Sequence, residues 1–289
     1  MRVVSLLPAA TEIVAALGAG NWLVGVSHEC DWPPEVRTLP RVTRSSVDSA
    51  LPSAEIDRRM AAAKRGGAAP VTIDRDALGR LAPDVIIGQS VCDVCAVGEG
   101  ELTAAIATLS KRPRVVTLHA HDLAGVFADI GRVGEALDLQ GDAEELVAGL
   151  RYRLRRIPTP HVPRPHGSPV GRPTVLVIEW VDPPYVAGHW VPELVAAAGG
   201  VDIGARPGDR SVTRVWRELR ALAPDVVVVA LCGFDVPRAR RELGAVTDPD
   251  GRALLAAARV AFLDGNAYTS RPGPRLVEAV ELLTPLIGG

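Results

Sequence analysis

Short apolar runs alternate with stretches of helical spacing along this chain, and the alternation sets out its elements. Val3–Leu7 is apolar except for Ser5 and predicts a buried strand. Thr11 then supplies a helix cap, and Gly18 and Gly20 supply the stop. Leu23–Val26 predicts a second strand. Further on, Leu81-Ala82-Pro83-Asp84-Val85 runs into IIGQSVC, which ends at Cys92. The same pentapeptide returns at Leu222–Val226 and runs into VVVALC, which ends at Cys232. Each copy predicts a helix end, a tight Pro-Asp turn and a strand of β-branched residues.

The repeat extends to its flanks. Glu12–Gly20, EIVAALGAG, resembles Glu193–Val201, ELVAAAGGV, and Arg114–His119, RVVTLH, resembles Arg259–Asp264, RVAFLD. Both halves therefore follow one plan, and strands alternating with helices imply parallel sheets with crossover helices. Between the halves, Leu123, Val126, Phe127, Ile130, Val133 and Leu137 fall at helical spacing over His121–Leu139. Leu146, Val147, Leu150 and Leu154 do the same over Ala143–Ile157. Six prolines between Pro158 and Pro173 then predict an exposed loop.

The fold expected is α/β, with two Rossmann-like lobes of parallel sheet over residues 1–120 and 172–289. A long helical bridge over 121–157 and a proline-rich loop over 158–171 join them, with a ligand cleft between the lobes. Ligands of open parallel sheets collect beyond the carboxyl ends of the strands. Ser27–Cys30, Gln89–Cys92, Glu179-Trp180 and Leu231-Cys232 all follow such ends in this reading.

Composition narrows the class. At 289 residues, 47% hydrophobic and 23% charged, the chain can bury a sizeable core. A net charge of -2 and a pI near 6.3 argue against a nucleic-acid or membrane-surface partner. No run reaches the roughly 18 apolar residues of a membrane span. Pro8 and Thr11-Glu12 interrupt the apolar start, which therefore reads as strand and helix rather than a secretory signal. A cytoplasmic protein is expected on that basis, or a periplasmic or surface one if the N-terminus was trimmed. In a reducing compartment the four cysteines are thiols, metal ligands or redox groups rather than disulfides.

RVVSLLPAATEIVAALGAG followed by LVGVS, the LAPDVII opening of a strand, and the closing RPGPRLVEAVELL form an ordered set of motifs. Together they resemble the substrate-binding proteins of ABC importers for cobalamin, haem and iron-siderophores, and most of all the cobalamin-binding members. The resemblance covers nearly the whole chain. It implies two α/β lobes joined by a rigid backbone helix, with a small-molecule metal chelate between them. Cobalamin or a related corrinoid or tetrapyrrole is the ligand implied, and an ABC permease the partner of an exported form. Secreted members carry a signal or lipobox, and they hold chelates through aromatic and polar side chains rather than cysteines.

Cys92-Asp93-Val94-Cys95 is a CxxC pair, and His28 and Cys30 form an HxC pair in the earlier loop. Thiolates and imidazole at such spacing make a chelating framework for zinc or an iron–sulfur centre. Cys232 is a further candidate from the second half. The same cysteines also read as small buried residues at strand ends, or as a redox pair at the CxxC. An intracellular thiolate metal protein, structural or catalytic, is therefore the alternative to a chelate-binding protein.

Aromatic residues are few, so their positions carry information. Trp32, Trp180, Tyr185 and Trp190 fall in expected loops, and Tyr268 follows a strand, where apolar faces suit a flat macrocycle. His189 is open between an axial ligand for cobalt or iron and a cap for the helix near Pro192. His119 and His121 read as packing at a helix start, and His161 and His166 fall in the proline-rich loop. Arg271 meets an anionic ligand group or simply precedes the last helix. Glu179 and Asp182 could form a carboxylate pair. No nucleophile elbow, P-loop or GxGxxG follows a strand, which points to binding rather than turnover.

Overall fold

The structure, a computed structural model, describes residues 1–67, 69–90, 97–158 and 171–288. Cys92, Cys95, His161, His166 and most of the proline-rich loop lie outside the described residues. The chain divides into two compact units. The first comprises Met1–Leu51, Glu55–Ala120 and Ala124–Gly149, and the second Pro52–Ala54, His121–Leu123 and Leu150–Gly289.

The first unit runs β1 (Val3–Ser5), α1 (Pro8–Ala16), β2 (Leu23–Val26), β3 (Thr43–Ser45), α2 (Ser53–Arg65), β4 (Val71–Ile73) and α3 (Arg75–Leu81). It continues with β5 (Val85–Gln89), α4 (Glu99–Ile106), β6 (Arg114–Leu118), α5 (Leu123–Ala136) and α6 (Gln140–Arg156). The unit boundary falls inside α6. Among the described residues β2, β1, β5 and β6 form a parallel sheet in that order, and β3 pairs antiparallel with β4. Val4, Leu6 and Ile86 of the sheet pack with Val42, Ile73, Leu78 and Leu102 in one buried cluster. Thr11 is not the cap of α1. Pro8 begins that helix three residues earlier, because its fixed φ and missing N–H suit a first helical position. Thr11 points inward instead, its hydroxyl donating to the Ser5 Oγ at 2.8 Å.

The second unit runs β7 (Thr174–Val181), β8 (Pro184–Val186), α7 (Val191–Ala197), β9 (Val201–Asp202), β10 (Val212–Thr213) and α8 (Trp216–Ala221). It ends with β11 (Val226–Val229), α9 (Val236–Gly244), α10 (Pro249–Ala257), β12 (Arg259–Phe262) and α11 (Leu276–Gly288). β7, β9, β11 and β12 are parallel, with the four valines of β11 fully buried at the centre. The sheet is nevertheless mixed. β7 runs on to Val181, turns at Asp182-Pro183, and returns as the antiparallel β8, on which β10 also pairs antiparallel. Trp180 and Tyr185, expected in loops, are thus directly paired strand residues.

The repeated pentapeptide has one structural job in both units. Ala82 and Ala223 take left-handed backbone, with φ of 40° and 46°, and turn the chain out of α3 and α8. The aspartate that follows then ties strand starts together. The Asp84 carboxylate accepts the Arg2 N–H at 2.9 Å, its own N–H donates to the Arg2 carbonyl at 2.8 Å, and its carbonyl accepts the Arg114 N–H at 2.8 Å. The Asp225 carboxylate accepts both the N–H and the hydroxyl of Thr174 at 2.7 Å, and its carbonyl accepts the Arg259 N–H at 3.2 Å. β1, β5 and β6 in one unit, and β7, β11 and β12 in the other, are thereby held level at their amino ends.

Asp202, at the end of β9, organises the loop beyond it. Its Oδ1 accepts the N–H groups of Gly204 at 2.8 Å and Ala205 at 3.2 Å. Its Oδ2 is buried with no hydrogen-bond partner among the described residues. Burial pushes this carboxyl up to about 6, against the opposing pull of the two N–H donors.

Two outcomes follow from these features. A left-handed alanine costs about 1 kcal/mol that glycine avoids, so Ala223→Gly, at an exposed position, is expected to raise the unfolding free energy by roughly that amount, read as a higher denaturant midpoint. An unchanged or lowered midpoint contradicts the strain. Asp202 binds its proton more tightly folded than unfolded, so its contribution to stability is favourable near pH 4 and is lost as pH rises through about 6. Asp202→Asn should therefore be more stable than wild type by on the order of 1–2 kcal/mol at pH 7.5, with the difference closing near pH 4. Melting curves at both pH values measure it, and a difference independent of pH would count against the assignment.

Candidate functional site

With the strand starts levelled, the strands deliver their following residues to the opposite edge of each sheet. In the first unit that edge is closed by short polar contacts. Cys30, 1% exposed, has its Sγ 3.1 Å from the Thr11 hydroxyl and 3.2 Å from the Ser27 hydroxyl. The Arg41 guanidinium holds the loop by donating to the carbonyls of Ser27 at 3.0 Å and Cys30 at 2.6 Å. The Thr43 hydroxyl accepts the His28 N–H at 2.9 Å and lies 2.7 Å from His28 Nδ1. Burial, and then the Arg41 charge, lowers the His28 pKa and favours the neutral ring.

Beyond β5 and β6, His119 Nδ1 meets the Ser90 hydroxyl at 2.6 Å. The fully buried Asp129 carboxylate accepts the N–H groups of His119 and Ala120, both at 2.9 Å, and pairs with Arg132. Burial raises the Asp129 pKa while those N–H donors and Arg132 oppose it. Trp32 is 43% exposed. Of the four proposed metal ligands, only His28 and Cys30 fall in the described region. Among the described residues no three His, Cys, Asp or Glu side chains stand together as a metal site.

The second unit builds a different edge. The Cys232 N–H donates to the Glu179 carbonyl at 2.9 Å, which fixes the exit of β11 beside β7. Gly233, at φ 72°, lets the chain turn there, and the Phe234 N–H closes the turn on the Leu231 carbonyl at 3.0 Å. Phe234 consequently lies against Trp180, ring centroids 5.0 Å apart and tilted by 41°, within the range of a favourable aromatic pair. The Arg238 guanidinium stacks 3.7 Å from the Phe234 ring centre and reaches Glu242 at 3.6 Å. Trp180 Nε1 is buried without a hydrogen-bond partner among the described residues.

The exit of β12 joins this platform. Gly265 passes so close to the Leu231 carbonyl that any Cβ there would overlap it. A single π-turn, Gly265–Thr269, follows, capped by the Asp264 carboxylate on the Ala267 N–H at 2.7 Å. The Asn266 N–H bonds the Phe234 carbonyl at 3.2 Å, and the buried Arg271 donates to Asn266 Oδ1 at 2.9 Å. Tyr268 carries the Arg275 guanidinium 4.7 Å from its ring centre. The Trp190 indole is buried and donates to the Thr269 carbonyl at 2.9 Å. It works as a strut.

His189 begins the turn into α7 with φ 54°. Its ring lies 5.8 Å from that of His121 and 5.5 Å from that of Trp190. Burial first, then His121 and Arg210, lowers its pKa. The second unit thus gathers Glu179, Trp180, Tyr185, His189, Trp190, Cys232, Tyr268 and Arg271 along one edge. Phe234, Asn266 and Arg238 complete the arrangement without a prior signal beyond their closeness to Cys232 and Tyr268 in the sequence.

The comparisons agree with this architecture. A periplasmic haem-binding protein from Pseudomonas aeruginosa is 23% identical with a TM-score of 0.72, covering 99% of this chain and 92% of that one. The haem-binding protein RhuT from Roseiflexus sp. RS-1 is 23% identical with a TM-score of 0.68, over 100% and 98%. The vitamin B12-binding protein BtuF of Vibrio cholerae is 20% identical with a TM-score of 0.64, over 99% and 96%. No curated protein matches the chain. No helix among the described residues is long and apolar enough to cross a membrane. The family model of periplasmic binding proteins matches residues 3–244, and the chain belongs to that family.

Proposed function

We propose that this protein binds a metal chelate of the tetrapyrrole class, a corrinoid such as cobalamin or a haem, and hands it on without chemical turnover. The observation that carries the reading is the Trp180–Phe234 pair, with the indole Nε1 buried and lacking a hydrogen-bond partner among the described residues. An aromatic platform of this kind suits the apolar face of a flat macrocycle. Tyr185, paired with Trp180 across the β7–β8 hairpin, extends the aromatic surface. Tyr268 lies on the adjoining turn, where a phenol suits polar groups at a chelate's rim, and the buried Arg271 braces that turn through Asn266.

The solved relatives described as binding haem or vitamin B12 support the ligand class. Their periplasmic descriptions support an extracytoplasmic setting over the cytoplasmic one expected from the sequence, with an ABC importer as partner. The reading assigns no ligand contact to His28 or Cys30. The thiol of Cys30 is engaged by two hydroxyls, which suits a packing role.

Titration with hydroxocobalamin, cyanocobalamin and haem, followed by visible spectrum and calorimetric heat, tests the proposal. At least one chelate is expected to bind with a Kd of about 1 μM or tighter. Trp180→Ala should weaken that binding about tenfold or more, with the fold retained by circular dichroism. Binding no tighter than about 100 μM for all three chelates would overturn it.

A further inference from the structure

We propose that His121 and His189 form a two-imidazole site for a first-row transition-metal centre. Both rings belong to the second unit, although His121 comes from the short segment between β6 and α5. That segment is pinned where the Leu123 N–H donates to Glu193 Oε2 at 2.6 Å, in the first turn of α7. His189 is held just before the same helix. Its N–H donates to the Asp209 carbonyl at 2.6 Å, and its carbonyl accepts the Gly208 N–H at 2.9 Å. Gly188 beside it lies so close to the backbone of Asp209–Ser211 that a Cβ would overlap it. A non-glycine residue is thus kept in left-handed backbone by these contacts, which fixes where its side chain leaves the chain.

The ring separation is the second argument. The centroids are 5.8 Å apart with planes at 87°. A metal about 2.0–2.1 Å from each nitrogen stands about 3.2 Å from each ring centre, so two imidazoles sharing it lie about 5.2 Å apart at a tetrahedral angle and about 6.4 Å apart when opposed. The observed value falls between these limits. His189 Nδ1 is buried and has no hydrogen-bond partner among the described residues. A buried ring nitrogen without a partner is unfavourable in the empty protein and is satisfied by a metal bond.

The site supplies two donors. Among the described residues no third His, Cys, Asp or Glu joins them, so the remaining coordination positions belong to water or to a chelate that the metal brings with it. Arg210 opposes a bare dication and tolerates a centre already neutralised by its own ligands. The shared chemistry is a metal with positions open to imidazole, and a free ion satisfies it as well as a chelate does. In its chelate arm the inference rests on the proposed function, and hemin binding that is indifferent to His121→Ala would sink the two-imidazole site while leaving that function standing.

Cobalt(II) chloride and hemin, titrated separately into the full chain, distinguish the two sources. A saturable change in the cobalt d–d bands marks the free ion, and a shift of the Soret band to a six-coordinate form marks the chelate. In whichever arm responds, His121→Ala and His189→Ala should each weaken binding at least about tenfold, since each removes one of two bonds. His121 is exposed, so its variant should keep the wild-type melting temperature and remains decisive should His189→Ala unfold. No saturable response in either arm, or wild-type affinity in His121→Ala, would overturn the proposal.

Discussion

One aspartate per unit sets the register on which everything else depends. Asp84 and Asp225 bond the starts of three adjacent parallel strands through a side chain, an N–H or hydroxyl contact and a carbonyl. Parallel strands joined by crossovers cannot correct a slip locally, because a shift of one residue turns every side chain to the other face. A carboxylate that accepts from the first strand while its own backbone belongs to the second removes that freedom. The left-handed alanine and the proline that follows it aim the aspartate, which is why five consecutive residues recur together rather than the aspartate alone.

The same scaffold ends in two different edges. In the first unit the exits of β1 and β2 are joined by Ser5, Thr11, Ser27 and Cys30, whose hydroxyls and thiol bond one another in a buried chain. Such a network satisfies itself. In the second unit the corresponding exits carry Trp180 and Phe234, and the levelled strands bring the β12 turn against them through Gly265. A common frame therefore fixes where each edge lies, while its chemistry is set by three or four residues after each strand.

Much of that frame was legible in the sequence because repeated pentapeptides and valine-rich runs are local signals. The parallel core, the α5 and α6 helices and the strand-exit position of Cys232 all follow from them. The β7–β8 hairpin was not legible, since Asp182-Pro183-Pro184 reads as a loop and its pairing depends on Trp180 meeting Tyr185 across the turn. Thr11 misled because a threonine early in a helix usually caps it, and here Pro8 had already begun the helix. Phe234 carried no signal of its own, and His121 read only as packing at a helix start, for a different reason. Each acquires its partner only through tertiary closure, Phe234 through Gly233 and the neighbouring strand, His121 through the bond of Leu123 to Glu193.

Three polar atoms of the second unit stand buried and unsatisfied, two of them on this edge. Trp180 Nε1, His189 Nδ1 and Asp202 Oδ2 are each buried without a hydrogen-bond partner among the described residues. They lie on β7, on the turn into α7 and at the end of β9, and the loop from Asp202 to Ser211 links the last two through its bonds to Gly188 and His189. Leaving such an atom unsatisfied costs about 1–3 kcal/mol, a large fraction of a domain's net stability of about 5–15 kcal/mol. A well-packed core without function would replace or pair them. They do not share one surface: Trp180 and His189 belong to the edge at the carboxyl end of β7, whereas Asp202 lies beside Val175 at the amino end of that strand and organises its own loop, so the cost is carried at two separate places in the unit.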